Sequence, residues 1–181
     1  PRFSATSRLF SSTGRATDGQ EWIDASIEYY TKIMRGQEQH GAKDRRTASK
    51  LYFALQNIRQ GRYHRAEAVY RRALDEIEWL NEDGQCENAK LASTTLLLAL
   101  VLQRMGDIKE ARNVFHKFFR FAMKETKQGP ITECACSAKV LGAYALFEMK
   151  HGSKKKSLHL ARQATNFDQS LSKLFDWKPF K

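Results

Sequence analysis

Three glycines set the frame for this chain. Gly61, Gly106 and Gly152 lie 45 and 46 residues apart, and the residues around each one match. Eight positions before them stand Phe53, Leu98 and Tyr144, and seven before stand Ala54, Ala99 and Ala145. Five after stand Ala66, Ala111 and Ser157, nine after stand Tyr70, Phe115 and Ala161, and twelve after stand Ala73, Phe118 and Ala164. In the best-defined copy, Thr47–Leu74, the apolar and small residues Leu51, Phe53, Ala54 and Ile58 precede Gly61, and Tyr63, Ala66, Tyr70 and Ala73 follow it. A spacing of three to four residues lays one apolar stripe along a helix. Glycine gives the backbone freedom that a tight turn between two helices needs. Ala54 and Ala66 are small where the two helix backbones must approach. Each copy therefore predicts a helical hairpin, and a recurring hairpin buries its apolar faces by stacking on its neighbours.

Thr47 to about Asn166 resembles the tetratricopeptide repeat, a helical hairpin of about 34 residues. The period here is longer by roughly a dozen residues, which places the surplus in the connections Leu80–Glu87 and Lys127–Thr132 or in added helical turns beside them. In this the repeats resemble those of kinesin light chains more than those of co-chaperones. The resemblance implies an all-α, right-handed α-solenoid of about three hairpins, with extra N- and C-terminal helices, and it implies a binding scaffold. The third copy is worn, with Lys154 standing where Tyr63 and Ile108 stand. Carried over by register, the family's concave surface would be lined by Leu51, Leu55, Leu96, Leu100, Leu146 and Met149. That surface would be an apolar groove for a helix, from a partner or from the chain's own end. The clamp with which co-chaperones grip a peptide carboxylate would fall on Leu51, Leu55, Leu97, Lys139 and Ala143. Only Lys139 suits it, which argues against that role.

The charge of the chain is sorted along the same frame. Its net charge is +11 with a pI near 9.7, a balance that favours polyanionic partners and says nothing of the fold. Two residues before the glycines stand Arg59, Arg104 and Lys150, and three after stand His64, Lys109 and Lys155, flanked by Arg62, Arg65, Arg112, Lys154 and Lys156. In a stacked array these turns would form a basic ridge, with the acidic stretch Asp75–Glu87 on the opposite edge. Phe115 and Phe118 fall in core registers, whereas Phe119 and Phe121 are surplus and are expected to face the next hairpin. No phosphate loop, zinc-protease motif or nucleophile motif is present, so neither an enzyme nor a cofactor is expected. The histidines scatter among charged residues. Cys86, Cys134 and Cys136 make no disulfide framework and suit a reducing compartment, and no metal site is expected. No apolar run reaches the length of a membrane span. The longest, Leu91–Leu102, reads as a buried helix of the middle repeat.

The ends differ from the middle. Residues 1–20 are rich in Ser, Thr and Arg, with Arg2, Arg8 and Arg15 and no acid before Asp18, the composition of a mitochondrial or plastid targeting segment. Arg8–Thr13 is similar to a matrix-protease site with cleavage after Thr17. Glu21–Gln39 predicts an amphipathic helix through Trp22, Ile23, Ser26, Ile27, Tyr30 and Ile33. Residues 21–166 form the expected array, and 167–181 a capping or docking segment through Leu171, Leu174, Phe175, Trp177 and Phe180. Together these features predict a non-catalytic scaffold in the mitochondrial matrix, with plastid as the second location. The expected role is a peripheral protein of the mitochondrial ribosome. The ridge, with Arg2, Arg8 and Arg15, would meet rRNA, and the groove would meet other protein subunits. The alternative is an adaptor or assembly factor of a respiratory complex. No small-molecule substrate is expected.

Overall fold

A computed structural model describes residues 20–35, 42–78, 87–122, 125–126, 129–130 and 135–176. The described chain is all-α: α1 Gln20–Met34, α2 Ala42–Arg59, α3 Tyr63–Glu78, α4 Glu87–Met105, α5 Ile108–Ala122, α6 Ala135–His151, α7 Lys154–Phe167, and a closing 3₁₀ helix, Gln169–Asp176. Within the connection before α6, Glu125–Thr126 pairs antiparallel with Gly129–Pro130, a local ladder that the sequence reading did not anticipate. None of the described helices is long and apolar enough to cross a membrane. The array expected over 21–166 divides into two compact units, Pro1–Leu80 and Asn81–Lys181, and the boundary falls in the first inter-repeat connection.

In the N-terminal unit α1 packs on α2, and α2 on α3. The α2–α3 turn is made by backbone geometry. Gly61 has φ +71°, its N–H donates to Ile58 O at 3.0 Å, and Arg62 N–H donates to Asn57 O at 2.8 Å. This paired closure satisfies carbonyls that the last helical turn leaves open, and it needs the left-handed conformation that glycine adopts without strain. Ala54 and Ala66 are both 0% exposed, as a close helix crossing requires. Tyr30, Ile33, Leu51, Leu55, Ile58, Tyr70 and Ile77 complete the core.

In the C-terminal unit the same device recurs. Gly106 has φ +84°, its N–H donates to Gln103 O at 3.2 Å, and Asp107 N–H donates to Leu102 O at 2.9 Å. Asp107 Oδ1 then accepts from Glu110 N–H at 3.1 Å, capping α5. α4 and α5 form one hairpin and α6 and α7 the next, and α6 packs on both α4 and α5. The Leu91–Leu102 run lies in α4 and is buried as expected, save for half-buried Ser93 and Leu100. Phe119 faces the following hairpin, its ring centroid 6.1 Å from that of Tyr144, while the side chain of Phe121 lies outside the described residues. The 3₁₀ helix buries Leu171 and Leu174 against α6 and α7, so the end of the described chain folds back on its own hairpin. Gly142 makes room for it: a Cβ there would stand 3.3 Å from Leu174 Cδ1.

Two expectations need correction. Phe53, placed in the core by register, is 60% exposed, whereas its counterparts Leu98 and Tyr144 are buried. Tyr144 is covered because the preceding hairpin stacks on it, with Phe115 centroid to centroid at 4.7 Å. The hairpin of Phe53 is preceded by the single helix α1, which leaves that position open. Gly152 does not adopt the left-handed turn of the other two glycines. Its N–H continues the helical pattern to Glu148 O at 2.9 Å, and a Cβ at this position would have to displace the Glu148 carboxylate.

Tyr70 is fully buried, and among the described residues its hydroxyl has no hydrogen-bond partner. Burial, with a smaller contribution from Tyr30, raises its pKa well above the phenolic range. An unpaired buried hydroxyl costs about 1–3 kcal/mol. Tyr70→Phe is therefore expected to leave stability unchanged or raise it by about 1 kcal/mol in urea denaturation, against the usual loss for a core substitution.

Candidate polyanion interface

Two basic residues of the C-terminal unit, Arg112 and Lys156, are held by one buried carboxylate. Glu148 is the only acid of α6 and is 2% exposed. From α5, Arg112 Nε donates to its Oε1 at 2.8 Å and Nη2 to its Oε2 at 3.2 Å. From α7, Lys156 Nζ donates to Oε1 at 2.8 Å and to the Tyr144 hydroxyl at 2.6 Å. That hydroxyl in turn lies 3.1 Å from His116 Nε2 on α5. Arg112 also sits over the Phe147 ring, and Lys156 over the Tyr144 ring. Three helices thus meet at one carboxylate.

Burial alone would raise the Glu148 pKa, but hydrogen bonds from Arg112, Lys156 and Tyr144 outweigh it and bring the carboxyl down to about 2. The hydrogen bond to Glu148 raises Arg112. Burial works against the charged form of Lys156, and the bonds to Glu148 and Tyr144 overcome it. His116 is held below its ordinary value by burial and then by Lys156, and His151 by burial and then by Lys150, so both are neutral at neutral pH. Neutral His151 accepts at Nε2 from Gln103 Nε2 at 2.8 Å, while its backbone carbonyl accepts from Arg112 Nη2 at 3.4 Å. These contacts bind the end of α4 to the end of α6, and with them the turns at Gly106 and Gly152.

At that shared end stand Lys109, Lys150, Lys154 and Lys155, all exposed and without an ion pair among the described residues. α7 opens on three lysines with no acid in its first turn. Cations at a helix N-terminus oppose the helix dipole. Lys156 is offset by Glu148; Lys154 and Lys155 are not. Arg104 lies half-buried at the last turn of α4.

The other predicted residues sort as follows. Arg112 and Lys156 belong to the Glu148 cluster, and their side chains are 30% and 40% exposed. In the N-terminal unit Arg62 and Arg65 are exposed beside Gly61, and Arg59 Nε lies 3.8 Å from Asp24 Oδ1. Arg2, Arg8 and Arg15 lie outside the described residues. Of the expected acidic edge, Asp75 and Glu76 are exposed at the end of α3, Glu76 pairs with Lys50, and residues 79–86 lie outside the described set. The residues expected to line the apolar groove divide in two. Leu51, Leu55 and Leu96 are buried in the cores of their units, and Leu100, Leu146 and Met149 are half-buried. Leu51 and Leu55 are core residues of a helix that packs on both α1 and α3.

Cys136 is half-buried, and no group of histidine, cysteine or acid among the described residues is placed to hold a metal ion. Sequence reasoning missed Glu148; its signal was a lone acid inside the apolar run Val140–Met149. Compared with known proteins, the chain matches no family model, no curated protein and no solved structure.

The depressed Glu148 pKa sets a pH dependence. The unfolded chain takes up this proton near pH 4.5, the folded chain at about 2, so stability present above pH 4.5 is lost as pH falls toward 2. The interval corresponds to about 3 kcal/mol. Glu148→Gln is expected to remove about that much from the C-terminal unit at neutral pH and to flatten the acid limb. Urea denaturation followed from pH 6 downward, at about one-unit steps, checks both.

Proposed function

We propose that this chain is a non-catalytic scaffold of tetratricopeptide-like hairpins that binds RNA through its basic turns. In this reading the hairpins are those of a right-handed α-solenoid. Arg59, Arg62 and Arg65 give the N-terminal unit a basic turn of its own at Gly61. The observation that carries the reading is the basic edge of the C-terminal unit. Four exposed lysines are gathered by the Gln103–His151 and Arg112–His151 contacts with no described carboxylate paired to them. Such an arrangement repels itself, and a phosphate backbone relieves it while releasing counterions. The basic, Ser/Arg-rich beginning of the sequence adds an organellar setting. The assembly that fits is a mitochondrial ribonucleoprotein, the ribosome before others, with the chain as a peripheral protein in the matrix. Half-buried Leu100, Leu146 and Met149 would then meet a neighbouring protein subunit.

Sedimentation of mitochondrial lysate containing the tagged chain tests this. The chain is expected to comigrate with ribonucleoprotein particles and to leave that fraction after ribonuclease treatment. Lys150→Glu, Lys154→Glu and Lys155→Glu together are expected to shift at least about nine-tenths of it to light fractions. Comigration indifferent to ribonuclease would favour the adaptor of a respiratory complex instead.

A further inference from the structure

The turn edge is not the whole basic surface. The solvent side of α5 carries Lys109, Asn113, His116 and Arg120, with Lys117 beside them, all exposed. The solvent side of α7 carries Lys155, His159, Arg162 and Asn166, with Gln163 beside them, also exposed. Measured from Gly106 and Gly152, the two sets occupy the same registers: three, seven, ten, eleven and fourteen residues on. On a helix these positions form one stripe. α7 contains no acid at all. The one acid of α5, Glu110, is half-buried and accepts from Asn113 Nδ2 at 3.2 Å. The helices that carry the stripes are linked at one point beside them, because the Tyr144 hydroxyl joins Lys156 of α7 to His116 of α5 through contacts of 2.6 and 3.1 Å.

We infer that these paired stripes form a second RNA-contact face, and that it takes the sugar–phosphate backbone of base-paired RNA; the inference rests on the RNA-binding reading above. Three observations choose this occupant. The groups presented are cations, amides and imidazoles, the side chains that meet phosphate and 2′-hydroxyl oxygens. Each stripe runs along about three turns of helix, which suits a rigid, extended polyanion better than a point ligand. Among the described residues, the histidines aside, Phe167 in the last turn of α7 is the only large apolar or aromatic side chain exposed on either helix. Single-stranded RNA is held largely by aromatic stacking, and protein interfaces centre on buried aromatic or apolar anchors, so this face suits neither.

The test is binding of the full chain to a fluorescent RNA hairpin and to an unstructured strand of equal length, across a salt series. Wild type is expected to prefer the hairpin. Arg120→Glu with Arg162→Glu is expected to weaken hairpin binding at least about tenfold and to lower the salt slope by about two. Arg46→Glu with Arg72→Glu makes the same charge change at exposed positions of the N-terminal unit and is expected to cost less than about threefold. Circular dichroism melts confirm that both variants fold. Equal losses in the two variants, or none in the first, would overturn the face while leaving RNA binding intact. Wild type that ignores both RNAs yet binds anionic vesicles or an acidic protein would overturn the RNA reading itself, and this inference with it.

Discussion

A carboxylate with almost no contact with water holds the C-terminal unit together. Glu148 sits between a guanidinium from α5 and an ammonium from α7, with a phenol from its own helix within reach. A buried charge is tolerated only when it is paired and hydrogen-bonded, and this one is paired twice. Its value to the fold lies in specificity of arrangement. An apolar contact between helices would allow sliding, whereas one bidentate arginine and one lysine fix α5 and α7 relative to α6. Gly152 completes the fit by leaving the carboxylate room.

The proposed RNA-contact surface is built around this lock. Two positive groups around one negative leave a net cation at the centre, and outside it stand lysines that no described acid neutralises. Repulsion among them works against folding, and the Glu148 cluster offsets part of that cost. Neutral His116 and His151 belong to the same economy of charge, since a proton on either would add to the repulsion. A polyanion laid against this face would reduce the strain, which ties stability of the unit to binding.

Much of the fold was legible. The glycine frame located all three turns, the alanine registers located the helix crossings, and the all-α class followed from the periodicity. Ser157 shows how a register tolerates change: it replaces alanine, and its Oγ donates to Ala145 O at 2.6 Å across the crossing. What stayed hidden depended on distance in space. Gly152 matched the other glycines in sequence but serves a different purpose. Phe53 matched a core register but lacks the stacked hairpin that covers Tyr144. Leu51, Leu55 and Leu96 looked like groove lining because register cannot tell an open face from a packed one. Of the cationic residues, Arg112 and Lys156 could not be separated from Lys109 and Lys155 until Glu148 was placed between them. The stripes of α5 and α7 were visible as charge, yet the link between their helices required Tyr144.

The most direct measurement is ultraviolet cross-linking of the assembled particle, followed by identification of the peptides joined to RNA. The account predicts adducts in both 109–120 and 150–162, because one lock presents both segments to the same ligand. Adducts confined to one of them, or found only in segments far from the Glu148 cluster, would contradict it.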